Sequence, residues 1–220
     1  WWFFSKQESP AFRHGECQFG YIMEIKSKKI LIVDAGCLFN GSGATLNHTL
    51  SEKAAQQLRE LGHDVTMTTV DRDFDPEEEA LKLANADSVI IQFPGWWMGA
   101  PWQLKRWIDL VFMTDTIKPN DGRSRHDHTR LYGTGGIFTG AGKTYMLSST
   151  WNAPVEAFDD PIQFFGGRGI EEVLLPLHKA FQFIGFRPVP SFMINDVFKN
   201  PTITVDFERF ATHLNRYFGA

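Results

Sequence analysis

Two short apolar runs do most to limit what this chain can fold into. Ile30, Leu31, Ile32 and Val33 follow one another without a polar break, and residues 88–93 read SVIIQF. A strand with one wet face alternates apolar and polar residues. A near-continuous run rich in β-branched side chains belongs to a strand covered on both faces, as in a parallel sheet between two layers of helix. The intervening segments supply those helices. Leu46, Leu50, Ala54, Leu58 and Leu61 recur at helical spacing, and Gly62 provides the stop. Asp75, Pro76 and Glu78 set an acidic N-cap, a proline at the first helical position and a glutamate at the third, opening a helix that runs to about Asn85. Pro101 starts a third helix carrying Leu104, Trp107, Ile108, Val111 and Phe112.

The remaining segments complete the alternation. Residues 65–70 alternate apolar residues with Thr and read as a second strand; 144–149 and 188–194 read as the fourth and fifth strands. Residues 170–184 and 205–218 read as helices, and the polar stretch 113–131 as an excursion. The expectation is an α/β fold, a doubly wound five-stranded parallel sheet with helices on both faces. Ligands of such sheets bind beyond the carboxyl ends of the strands, where the strand order reverses. The loops after the first, third and fourth strands therefore matter most.

Composition narrows the class. The 220 residues suit one domain. The 22 basic and 26 acidic side chains are interspersed, with a net charge of −4, so no footprint for nucleic acid appears. Cys17 and Cys37 make neither a disulfide framework nor a four-ligand zinc site. No apolar run reaches the roughly 20 residues of a membrane helix. The expectation is a soluble, cytoplasmic protein. Residues 1–22 show neither helical nor strand periodicity and read as an appended leader before a domain over 23–220.

The first loop, DAGCLFNGSG over residues 34–43, runs straight into a helix. Small residues permit close backbone approach, and helix-start N–H groups with Ser42, Thr45 and Asn47 form a neutral donor set for a phosphate. The glycine pattern fits neither common nucleotide motif. Leu46 stands where a dinucleotide fingerprint needs its third glycine, and the stretch 136–144 has one residue too many for a Walker A loop and leads into a strand. The second loop, FPGWWMGAP over 93–101, brackets two tryptophans with prolines. Rigid, flat, apolar contacts beside backbone amides suit a flat heteroaromatic ring.

FPGWWMGAPW, the TWNAP at 150–154 and LPLHKAFQFIG at 175–185 resemble the modulator-of-drug-activity-B family of flavodoxin-like NAD(P)H:quinone oxidoreductases. The resemblance runs from about Ile30 to Phe218 and implies a non-covalent FAD, a homodimer, and two-electron reduction of quinones by alternating visits of NAD(P)H and quinone to the flavin. It implies phosphate contacts from Ser42, Gly43, Ala44, Thr45, Leu46, Asn47, His48 and Thr49. Pro94, Gly95, Trp96 and Trp97 would lie along the ring, and Thr150, Trp151, Asn152 and Ala153 would line its other side. Tyr132 would contact the flavin region, across the dimer or within the chain, and donate near the accepting oxygen. Cys37 and Leu38 stand where relatives can carry lysines. The other readings are an FMN-dependent azo- or nitroreductase, and a flavodoxin-like electron carrier without hydride transfer, for which −4 is a mild charge.

Several further signals read as structure. His126 and His128 lie in the polar excursion without further metal-ligand spacing, and no metal is expected. His178 and the Phe cluster at 181, 183, 186 and 192 read as core or surface positions. Cys37 has no base beside it, and the glycosylation sequons at Asn40 and Asn47 read as chance. Arg123, Arg125 and Arg130 read as solvated charges.

Overall fold

The computed structural model describes residues 26–38, 41, 43–126 and 128–219; the expected leader over 1–22 lies outside them. The strands are β1 (Lys29–Asp34), β2 (Asp64–Thr69), β3 (Ser88–Pro94), β4 (Thr144–Thr150), β5 (Arg187–Pro188) and β6 (Phe192–Ile194). The helices are α1 (Thr45–Glu60), α2 (Pro76–Asn85), α3 (Trp102–Val111), α4 (Glu156–Asp159), α5 (Gly169–Val173), α6 (Leu175–Phe183) and α7 (Ile203–Phe218). All pairings are parallel, in the order β2-β1-β3-β4-β5, with β6 also on β4. The order reverses between β1 and β3, which puts the switch point where the first two loops emerge.

The two apolar runs do what their composition requires. Alternate residues of each strand go to opposite faces, and both faces are covered. Leu31, Val33, Val89, Ile91 and Leu147 meet Leu83, Trp107 and Phe181 from α2, α3 and α6. Ile30, Ile32, Ile90 and Met146 meet Leu50, Leu58, Phe210 and Leu214 from α1 and α7. Each such side chain contributes about 1.5–3 kcal/mol by leaving water. α7 is tied to α1 by Gln57, whose amide donates to Ala211 O and Asn215 Oδ1, both at 2.8 Å.

The expected fifth strand is broken. Val189 N–H still donates to Tyr145 O at 2.8 Å, but beyond it Pro190 supplies no N–H and Ser191 N–H turns to Glu171, so the register shifts by one residue between β5, on Thr144–Tyr145, and β6, on residues 148–150. The expected helix over 170–184 is also two pieces: Leu174 sits at φ −94°, ψ 14° ahead of Pro176, between α5 and α6. The segment between the excursion and β4 packs against the end of α6, where Phe138 N–H donates to Ile184 O at 3.0 Å. A Cβ at Gly185, φ +102°, would overlap the Thr139 backbone there.

Candidate flavin site

At the carboxyl ends of β1, β3 and β4 the chain builds a cleft of about 570 Å³. One end is the start of α1. Ala44 adopts a left-handed backbone, φ 54°, which turns the loop into the helix, and the first turn holds no acidic side chain and no side-chain cap. The first N–H groups of a helix lack acceptors within it and carry the positive end of its dipole, so this end favours an anion.

Beneath it runs a buried chain of neutral hydrogen bonds. Ser148 Oγ donates to Gln92 Oε1 at 2.6 Å, Gln92 Nε2 to Asn47 Oδ1 at 2.8 Å, and Asn47 Nδ2 to Thr150 Oγ1 at 3.1 Å. Leaving one buried group of such a chain unpaired costs about 1–3 kcal/mol. The chain therefore locks β3, β4 and α1 together and fixes the orientation of Asn47 on the cleft floor.

The second loop forms the facing wall. Gly95 N–H donates to Thr150 O at 2.8 Å, joining it to the TWNAP loop. Trp96 and Gly99 exchange N–H bonds at 2.8 and 3.0 Å around Trp97, φ 46°, and Met98, φ 66°. Two residues at positive φ make a tight reverse turn that normally takes glycine or asparagine, and holding bulky side chains there costs of order 1–3 kcal/mol each. Trp97 is 92% exposed as a result. Trp151 sits behind the wall, its Nε1 donating to Ser149 Oγ at 2.8 Å and its ring edge-on to Phe158. A Cβ at Gly95 would overlap that indole.

A fourth segment completes the cleft. Val197 and Phe198, after β6, line it although nothing in the sequence reading pointed to them. Asn195 Nδ2 and Asp196 N–H both donate to Ala153 O, at 3.0 and 3.3 Å, and Val197 N–H donates to Trp151 O at 3.2 Å. No motif marks this strap; its place follows from pairing with the TWNAP loop, which periodicity does not reveal.

Of the expected contacts, Gly43, Ala44, Thr45, Leu46, Asn47, Pro94, Gly95, Trp96, Thr150 and Asn152 come together on the cleft. Ser42 lies outside the described residues. Thr49 is on α1 but not on the lining, and Trp97 projects beyond it. Trp151 and Ala153 support the cleft from behind. His48 is held by Asp34, Nδ1 to Oδ2 at 2.7 Å, and is not part of the lining. Tyr132 does not reach the cleft of its own chain. Its ring packs on Phe183 at the end of α6, with centroids 5.3 Å apart, beside β5 at the opposite end of the sheet.

Cys37 is buried, and its thiol is pushed up to about 12 by that burial and by the nearby Asp71 and Asp34 carboxylates, so it stays protonated at neutral pH. His178 is a core histidine: Tyr145 Oη lies 2.7 Å from its Nδ1 and Glu171 Oε2 lies 2.8 Å from its Nε2. Phe181, Phe186 and Phe192 are buried, while Phe183 is half-buried. Asn47 is buried and bonded, closed to glycosylation, whereas Asn40 lies outside the described residues. The Arg123 guanidinium pairs with Asp121 at 2.5 Å on the surface. No group of three or more His, Cys, Asp or Glu among the described residues is placed to hold a metal ion. No helix among them is long and apolar enough to cross a membrane.

Comparison with known proteins converges on one group. A family model for the flavodoxin-like fold matches residues 28–217. The NADPH:quinone oxidoreductase MdaB of Haemophilus influenzae is 42% identical over 192 residues, 86% of this chain and 99% of that protein. An uncharacterized protein of Schizosaccharomyces pombe is 44% identical over 194 residues, covering 87% and 98%. A crystal structure of a Klebsiella pneumoniae protein described as a quinone reductase superposes with a TM-score of 0.71 at 23% identity, covering 87% of this chain and 85% of the other. At that identity the likeness speaks for the fold alone.

Proposed function

The chain belongs to the family of the flavodoxin-like fold, and on that premise we propose that it is a flavin-dependent NAD(P)H:quinone oxidoreductase whose flavin is FAD. The observation that carries the reading is the convergence of three separate loops on one cleft, with a helix start at one end and an aromatic wall at the other. The donor set fits a phosphate-bearing flat heterocycle. Backbone N–H groups and the Thr45 hydroxyl serve an anion without a lysine or arginine.

Bound there, a flavin would supply the redox chemistry by which a hydride from NAD(P)H becomes two electrons for a quinone. The chain's residues do the placing. Asn47, held by Gln92 and Thr150, fixes the floor. Pro94, Gly95 and Trp96 set one face, backed by Trp151, so the ring cannot sink toward the sheet. A single cleft lined by all these segments fits one site used in turn by reductant and acceptor. Among the described residues no tyrosine lines the cleft. In a homodimer the second copy would supply Tyr132, just after its excursion, as a donor near the quinone oxygen. Exposed Trp97 and Met98 give such a copy an apolar rim to meet. A cytoplasmic setting goes with NAD(P)H as reductant.

The purified protein tests this directly. It is expected to be yellow, with absorption near that of an oxidised flavin, and to release FAD on denaturation as identified by chromatography. A colourless protein that FAD does not reconstitute would sink the proposal; FMN as the released flavin would move it to the azo- and nitroreductase reading.

A further inference from the structure

Two aromatic side chains on separate segments, Trp96 and Phe198, line the cleft at the α1 start. Trp96 belongs to the loop after β3. Phe198 belongs to the strap that leads into α7, the helix lying along α1. Phe198 is 79% exposed, yet its position is fixed. The preceding Asp196 takes a left-handed conformation, φ 55°. Its carboxylate accepts from Asn200 Nδ2 at 2.9 Å, and the strap is bonded to Ala153 and Trp151. A rigidly presented, solvent-facing phenyl on a ligand cleft is a stacking surface waiting for a flat partner.

We infer that Phe198 is the platform for the adenine of FAD, and so the residue by which this cleft takes a dinucleotide in preference to FMN. The inference rests on the flavin reading above. Two aromatic side chains and a helix-start anion site share one cleft, which suits a ligand with a phosphate linkage between two ring systems. A mononucleotide has one ring, satisfies Trp96 and the helix start, and leaves Phe198 bare. Adenine over a phenyl face gains stacking that depends little on hydrogen-bond pattern.

The test is titration of flavin-free full-length protein with FAD and, separately, FMN, read by quenching of flavin fluorescence. Phe198→Ala is expected to raise the Kd for FAD on the order of tenfold or more and to leave that for FMN unchanged. Phe198→Trp should keep the wild-type preference. Because the side chain is exposed, unchanged circular dichroism and melting are expected and serve as the check on folding. Equal losses for the two flavins, or no loss for either, would overturn the assignment while leaving the flavin reading intact. A wild-type chain that binds neither flavin would overturn both.

Discussion

Gly95 shows how closely the site is drawn around single atoms. Its Cα lies against the Trp151 indole, which Ser149, Phe158 and the strap hold in place. Gly95→Ala therefore has no cheap relaxation. Overpacking of this kind costs typically 1–3 kcal/mol, and the wall moves toward the cleft. The variant is expected to melt at a lower temperature and to copurify with less flavin, measured by thermal denaturation and the ratio of visible to ultraviolet absorbance. The importance of this position was legible from the bracketing prolines and paired tryptophans, but its reason was not. From the sequence Trp151 read as a ring contact, whereas here it is the support behind one. The two roles demand the same residue type and differ only in which side of the loop the indole occupies.

At the scale of elements, the β5–β6 edge is held by side chains where the prolines remove backbone bonds. Glu171 of α5 accepts from Ser191 N–H at 2.8 Å and Ser191 Oγ at 2.9 Å, and it meets His178 of α6 at 2.8 Å. Burial alone would raise its carboxyl, but the bonds to His178 and Ser191 outweigh that and hold it below the usual carboxylate range. A carboxyl lowered by folding stabilises the native state above its ordinary value near 4.5, and that contribution fades as pH falls through the folded value. Melting temperature measured from pH 7 down to pH 3 is expected to fall less steeply in Glu171→Gln than in the parent chain, with the variant already less stable at pH 7. The break in this strand and in the α5–α6 helix was written in Pro176, Pro188 and Pro190. Yet apolar spacing continues across all three and hides the interruption, because periodicity reports which face is buried and not whether the backbone bonds persist.

For the whole molecule, strand–helix alternation and two near-continuous apolar runs led directly to a doubly wound sheet, which the strand order bears out, and pointed to the loops after the first, third and fourth strands. Local pattern could not reveal the fourth wall. Val197 and Phe198 reach the cleft only because β6 pairs with the end of β4, a contact between residues more than forty positions apart. Tyr132 marks the opposite limit: sequence places it near a flavin by resemblance, while topology puts it at the far end of its own sheet. The account turns on the cleft carrying electrons from a nicotinamide to a quinone. Anaerobic mixing of the flavin-loaded protein with NADPH or NADH, followed by a quinone, measures that most directly. The visible band is expected to bleach on addition of at least one nicotinamide and to return with one equivalent of quinone per flavin. A flavin that neither nicotinamide bleaches would contradict the account and leave a flavin carrier in its place.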